Sequence, residues 1–269
     1  SGSRECSIHY ARIRGTRLEK FDWLDRGFDS VEFETVPGKH LDVFAPSVTG
    51  DYSTFPSIED LMPWSHSGMQ LKRTWPVGPS IETVRARWEA LITTREKSEA
   101  LRSTGARTPA ATPVSLLNPP EKLRALEELE EGDQPEGYGY CAYRSFDRQF
   151  LIQDSRLIDG PRPALWSVSS GKQIYFTTLT STAIGAGPVL QATPYVPDLH
   201  SFVGSYGARD VFPMWRDAEA SDPNLGPLVL QRLGAELGDG IGMEELVKYL
   251  YGIGGTSAYS SLFREELAT

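Results

Sequence analysis

Apolar positions recur along the chain with different periods, and the periods predict its elements. Ile8, Ala11, Ile13, Leu18, Phe21 and Leu24 read as two short helical pieces turned at Gly15. The alternating runs Val31-Glu32-Phe33-Glu34 and Leu41-Asp42-Val43-Phe44 flank Pro37-Gly38 and predict two strands joined by a turn. Residues 51–68, rich in Ser, Pro and aromatics, predict a loop with one helical turn near 58–62. Ser80 holds an N-cap position ahead of Val84, Trp88 and Leu91 on one stripe, so a helix is expected from Ile81 to about Leu101. Residues 103–113 have linker composition, and Pro119-Pro120 are placed to open a helix over 121–131.

Further on the period shortens. Residues 138–144, 149–152, 173–182, 188–195 and 211–215 are β-branched or aromatic runs divided by Gly, Pro and Asp, which predict mostly antiparallel strands. Helical spacing returns over 225–237, 243–251 and 257–267, with glycines at C-cap positions between them. The expected fold is α+β, a central mostly antiparallel or mixed sheet with flanking helices and a helical C-terminal end. Two segments are expected, 1–110 and 111–269, with one continuous domain over 1–269 as the alternative.

Composition narrows the class. The chain has 269 residues, 39% of them hydrophobic, and no apolar run near the roughly 20 residues that a membrane-spanning helix needs. Cys6 and Cys141 lie far apart without a Cys-x-x-Cys spacing, so neither a disulfide framework nor a zinc cluster is suggested, and a reducing, cytoplasmic setting is expected. The net charge of -9 argues against a general phosphate-binding surface. Its distribution is uneven, however. Between Pro63 and Arg107 the bases Lys72, Arg73, Arg85, Arg87, Arg95, Lys97, Arg102 and Arg107 outnumber Glu82, Glu89, Glu96 and Glu99, whereas from Asp198 onward eleven acids face five bases.

Catalytic motifs are weak. Asn118-Pro119-Pro120 resembles the start of the Asn-Pro-Pro-aromatic tetrad with which amino-methyltransferases hold a flipped base, but Glu121 replaces the aromatic, and a helix start explains the segment. Residues 202–207 only faintly resemble a glycine-rich cofactor loop, and Gly171-Lys172 lacks the rest of a phosphate loop. His9, His40, His66 and His200 have no metal-ligand spacing, and no Gly-x-Ser-x-Gly occurs. A polar, arginine-marked β region does stand out: Arg144, Arg148, Gln149, Gln153, Arg156, Arg162, Lys172 and Gln173, then Thr177, Thr178, Thr180, Ser181 and Thr182. Such side chains bind phosphates and read base edges, although the solvated face of an antiparallel sheet has the same composition. Asp147 and Asp154 are close enough in sequence to pair with Arg144 and Arg148, which would make those arginines structural.

The segments Tyr143-Arg144-Ser145-Phe146-Asp147-Arg148-Gln149-Phe150-Leu151, Asp154-Ser155-Arg156-Leu157-Ile158, Pro161-Arg162-Pro163, Val196-Pro197-Asp198-Leu199-His200-Ser201-Phe202 and Val211-Phe212-Pro213-Met214-Trp215 together resemble a known family. It is the C-terminal specificity domain of Type ISP, single-polypeptide restriction-modification enzymes. The resemblance extends to Tyr10-Ala11-Arg12, to residues 15–24 and to the Arg87-Trp88 helix. It implies a non-catalytic DNA-recognition module. In the longer polypeptide, a nuclease, an ATP-driven motor and an adenine-N6 methyltransferase would use S-adenosylmethionine, ATP and Mg2+. The partners implied are double-stranded DNA and the methyltransferase and motor domains of the same polypeptide. DNA contacts are then expected from Arg144, Arg148, Arg156, Arg162 and Lys172, and from Lys72 and Arg73 in the earlier basic turn. The alternative is a docking module with little DNA affinity, for which Phe55, Met62 and Trp64 would form an exposed apolar patch.

Overall fold

The computed structural model describes residues 7–13, 15–36, 51–101, 108–110, 112–180, 187–202, 210–237, 242–264 and 266–268. The predicted strand at Leu41-Phe44, the cysteine at position 6, and Ser181 and Thr182 lie outside them. The chain divides into two compact units, Ser1–Phe55 with Phe263–Thr269, and Pro56–Leu262.

In the first unit β1 (His9–Tyr10) pairs antiparallel with β2 (Glu34–Thr35), and α1 (Arg17–Leu24) lies between them in sequence. The first of the two helical pieces expected around Gly15 is therefore a strand. The second begins where Thr16 and Glu19 close a capping box, with the Glu19 amide donating to Thr16 Oγ1 and the Thr16 amide donating to Glu19 Oε2. None of the α1 residues is buried. Phe263 packs its ring against Tyr52 and Phe55.

The second unit opens with α2 (Ile58–Leu61), β3 (Val77–Gly78) and α3 (Ile81–Ile92). Ser80 caps α3 as its sequence suggests, accepting from the Thr83 amide. The helix stops nine residues before the expected Leu101 because Thr93 and Thr94 turn their hydroxyls back onto the carbonyls of Glu89 and Ala90. A short α4 (Lys97–Ala100) follows, its first amides donating to the Glu127 carboxylate.

The helix expected over 121–131 does not form. The amides of Glu121 and Leu123 donate to Asn118 and Pro113, and the Ser115 amide donates to the Glu121 carbonyl, so the chain folds back in a bridge. Only a 3-10 turn, Leu126–Glu128, remains. Glu136 fixes this fold-back, accepting from the Leu116 amide at 2.6 Å, the Ser155 amide at 2.9 Å and the Ser115 hydroxyl.

The strands follow: β4 (Gly137–Arg144), β5 (Asp147–Gln153), then α5 (Pro163–Trp166), β6 (Tyr175–Thr178), β7 (Gln191–Thr193) and β8 (Asp210–Pro213). They pair antiparallel in the orders β3-β5-β4 and β7-β6-β8, so the expected α+β class holds with its strands in small separate sheets. The C-terminal helices are α6 (Val229–Leu237), α7 (Met243–Gly254) and α8 (Ser257–Leu262). Three apolar clusters fill the unit. One joins Met69, Leu151, Trp166 and Tyr175, a second puts α7 against Phe176 and Phe212, and the third seats Val84, Trp88 and Leu91 of α3 on Ile152 and Leu157. Asn224 ties distant parts together, accepting from the Trp64 amide and donating to the Trp64 and Pro213 carbonyls.

Candidate nucleic-acid interface

The β4–β5 hairpin turns in two residues, Ser145 and Phe146, with Arg144 opposite Asp147 in the register. Alternation along β4 sends Cys141 into the core and leaves Tyr138 and Tyr140 half-buried, with Tyr140 directly opposite Phe150. The Tyr140 ring lies 4.3 Å from Phe150 and 5.3 Å from Tyr195, centroid to centroid. Arg148 covers the Tyr140 ring at 5.1 Å and donates to Tyr195 Oη at 3.1 Å, and Arg85 stands 5.6 Å over the Tyr138 ring. Burial raises the Tyr138 pKa, opposed in part by Arg85, so its hydroxyl remains protonated. A half-buried aromatic row crossed by exposed guanidinium groups can stack on planar rings while holding anionic oxygens.

Of the predicted arginines, two lie inside the unit. Arg156 holds Asp154 bidentately, at 2.7 and 2.5 Å, and both side chains are buried, with Trp88 flanking the guanidinium. Arg73 is buried as well, donating to the carbonyls of Leu101 and Leu157 and to Asp159. Arg144 reaches the buried Asp198 at 2.8 Å while lying over the Tyr143 ring, and its side chain remains 44% exposed. The pairings expected from sequence neighbours thus differ: Arg144 takes Asp198 rather than Asp147, Arg148 takes tyrosines, and Asp154 takes Arg156. Asp198 also accepts from the amides of Leu71 and His200, which makes it a junction rather than a simple partner.

Lys172 and Lys72 are exposed, Lys72 in a left-handed turn at φ 57°. Arg162 is half-buried, also left-handed, and its Nε is buried with no hydrogen-bond partner among the described residues. The polar residues Gln173, Thr177 and Thr178, which a solvated sheet face would expose, are buried. Gln173 bridges Val168 and both backbone groups of Trp215, and Thr178 donates to the Val189 carbonyl. Sequence reading missed the aromatic row. Its signal was Gly137-Tyr138-Gly139-Tyr140, aromatics at every second position with glycines between.

Met62 is fully buried and Trp64 half-buried, so Phe55, Met62 and Trp64 do not make the exposed patch that docking would use. Burial, aided by Asp198 and Asp147, pushes the Cys141 thiol well above its ordinary range, which removes it as a nucleophile. Among the described residues no group of three His, Cys, Asp or Glu could hold a metal ion, and no helix is long and apolar enough to cross a membrane.

The family model of the Type ISP C-terminal specificity domain matches residues 60–269. The chain belongs to that family. Three solved structures resemble this specificity domain, each at 15–16% identity, a level at which the likeness concerns the fold. One, a cryo-EM structure of a DrdV–DNA complex, superposes with a TM-score of 0.55 over 93% of this chain and 26% of the other. A second is a nuclease-deletion mutant of the Type ISP restriction-modification enzyme LlaGI in complex with a DNA substrate mimic, with a TM-score of 0.56 over 99% and 22%. The third is the ATP-dependent Type ISP enzyme LlaBIII bound to DNA, at 0.55 over 88% and 16%. The specificity domain therefore spans about a quarter or less of each of these chains. No curated protein matches the sequence.

Proposed function

We propose that this specificity domain recognises a sequence in double-stranded DNA and presents a target adenine to an adenine-N6 methyltransferase within a longer polypeptide. Membership in the specificity-domain family carries the reading. The proposed reader is the β4–β5 hairpin with its aromatic row. Arg144, Arg148, Lys72 and Lys172 contact DNA from the surface, Arg162 from its half-buried turn, and Arg73 and Arg156 support the reader from inside. Phosphate contacts position the duplex, and a small number of side chains at base edges discriminate sequence. S-adenosylmethionine, ATP and Mg2+ belong, in this proposal, to other domains of the polypeptide.

Fluorescence anisotropy against a randomised duplex pool, at low and moderate salt, tests the reading when the retained DNA is sequenced. Enrichment of one asymmetric motif is the expected result. Absence of salt-dependent binding at low ionic strength overturns it. Docking against neighbouring domains is a second reading, favoured by one observation: Leu18, Leu24 and Phe28 of the first unit are 74%, 64% and 78% exposed.

A further inference from the structure

The tip of the β4–β5 hairpin combines features that internal packing leaves unexplained. Phe146 is 92% exposed, more than any other large apolar side chain among the described residues. Its φ of 60° is left-handed, a conformation that bulky residues adopt at a penalty and that tight hairpin turns usually give to Gly or Asn. A strained, solvated ring contributes nothing to the stability of the fold that carries it.

Everything around the ring is held in place. Ser145 Oγ donates to the Ser201 carbonyl at 2.8 Å, and Arg144 is fixed between the Tyr143 ring and the buried Asp198. On the other strand Arg148 is fixed between Tyr140 and Tyr195. Asp147, the one acid at the turn, accepts from the Gln149 amide group at 2.7 Å. The hairpin thus presents a rigid apolar point with a guanidinium on each strand behind it.

We propose that Phe146 is a wedge that inserts against a base step of bound duplex DNA, an inference that rests on the DNA-recognition reading above. The flanking cations match phosphates on either side of an opened step, and a two-stranded ribbon has the width of a DNA groove. Aromatic stacking on a base is tolerant of sequence, so Phe146 distorts and holds the duplex while other residues discriminate. Unstacking a step is least costly where pairing is already broken. That difference gives a readout independent of the recognised sequence.

The test measures anisotropy of the chain on a fully paired duplex and on the same duplex with one central mismatch, at several salt concentrations. The parent chain is expected to prefer the mismatched duplex. Phe146→Ala is expected to lose roughly tenfold in affinity on it, and the preference as well, at an unchanged salt slope because no charge is removed. Phe146→Trp is expected to keep both. Equal binding of both duplexes by parent and Phe146→Ala overturns the wedge while leaving DNA recognition standing. Failure of the parent chain to bind either duplex overturns DNA recognition, and the wedge with it. A lowered Tm for Phe146→Ala, which would assign the ring to packing, also overturns the wedge.

Discussion

Arg148 and Arg156 carry the same guanidinium into opposite surroundings. Arg156 is buried on Asp154, and its loss leaves an uncompensated carboxylate in the core; Arg156→Met should lower stability by about 3–5 kcal/mol in urea unfolding. Arg148 is exposed over tyrosines, and Arg148→Ala should leave stability within about 0.5 kcal/mol while reducing the salt slope of DNA binding by about one. A loss of binding in the first variant would therefore report unfolding, and in the second a missing contact. The sequence marked both as cations in a β region but not which way each turns. That is decided by tertiary partners, Trp88 for Arg156 and Tyr195 for Arg148, which lie 68 and 47 positions away.

At the level of elements, caps and strand alternation were readable, and helix ends were not. Ser80 announced α3 correctly, because an N-cap bond spans three residues. The start of α4 and the fold-back at 113–123 depend on Glu127 and Glu136, acids whose partners lie about 20 to 30 positions away and are not marked by their sequence neighbours. Glu127 accepts from the Ser98 hydroxyl and the amides of Ser98 and Lys97, which holds its carboxyl below the ordinary carboxylate range. A depressed folded-state pKa stabilises above the unfolded value, near 4.3, and the contribution is lost as pH falls through the folded one. The stability difference between the parent and Glu127→Gln should accordingly be present at neutral pH and vanish in acid, followed by thermal melting between pH 7 and pH 3. Packing at α2 gives a second check. A Cβ at Gly226 would stand 2.5 Å from the Asp60 carbonyl oxygen, with backbone on both sides of the clash. Gly226→Ala should lower stability by about 1–3 kcal/mol, measured by chemical denaturation.

For the whole molecule the acidic balance governs grip. With the net charge at -9, and with half-buried Arg162 joining the four exposed candidate contacts Arg144, Arg148, Lys72 and Lys172, affinity should fall with salt at a log–log slope of roughly -4 to -5, and binding by this chain alone should be weak. A slope near zero in a salt titration would remove all five from the interface. The α+β class was legible from the change of period along the chain, and the family from long motifs around Arg144–Leu151 and Val196–Phe202. The division of strands among separate sheets was not legible, since antiparallel pairing partners such as β3 and β5 lie far apart in sequence. Asn224 makes that distance concrete, closing onto Trp64 across 160 residues. At about 5–20 residues per second, the ribosome takes roughly 10–30 s to deliver the second partner after the first. Through that interval the nascent segment ending in Met62 and Trp64 keeps its apolar surface open to water and chaperones. Slow codons before position 224 would lengthen this vulnerable period and lower the soluble yield without changing one residue of the folded product.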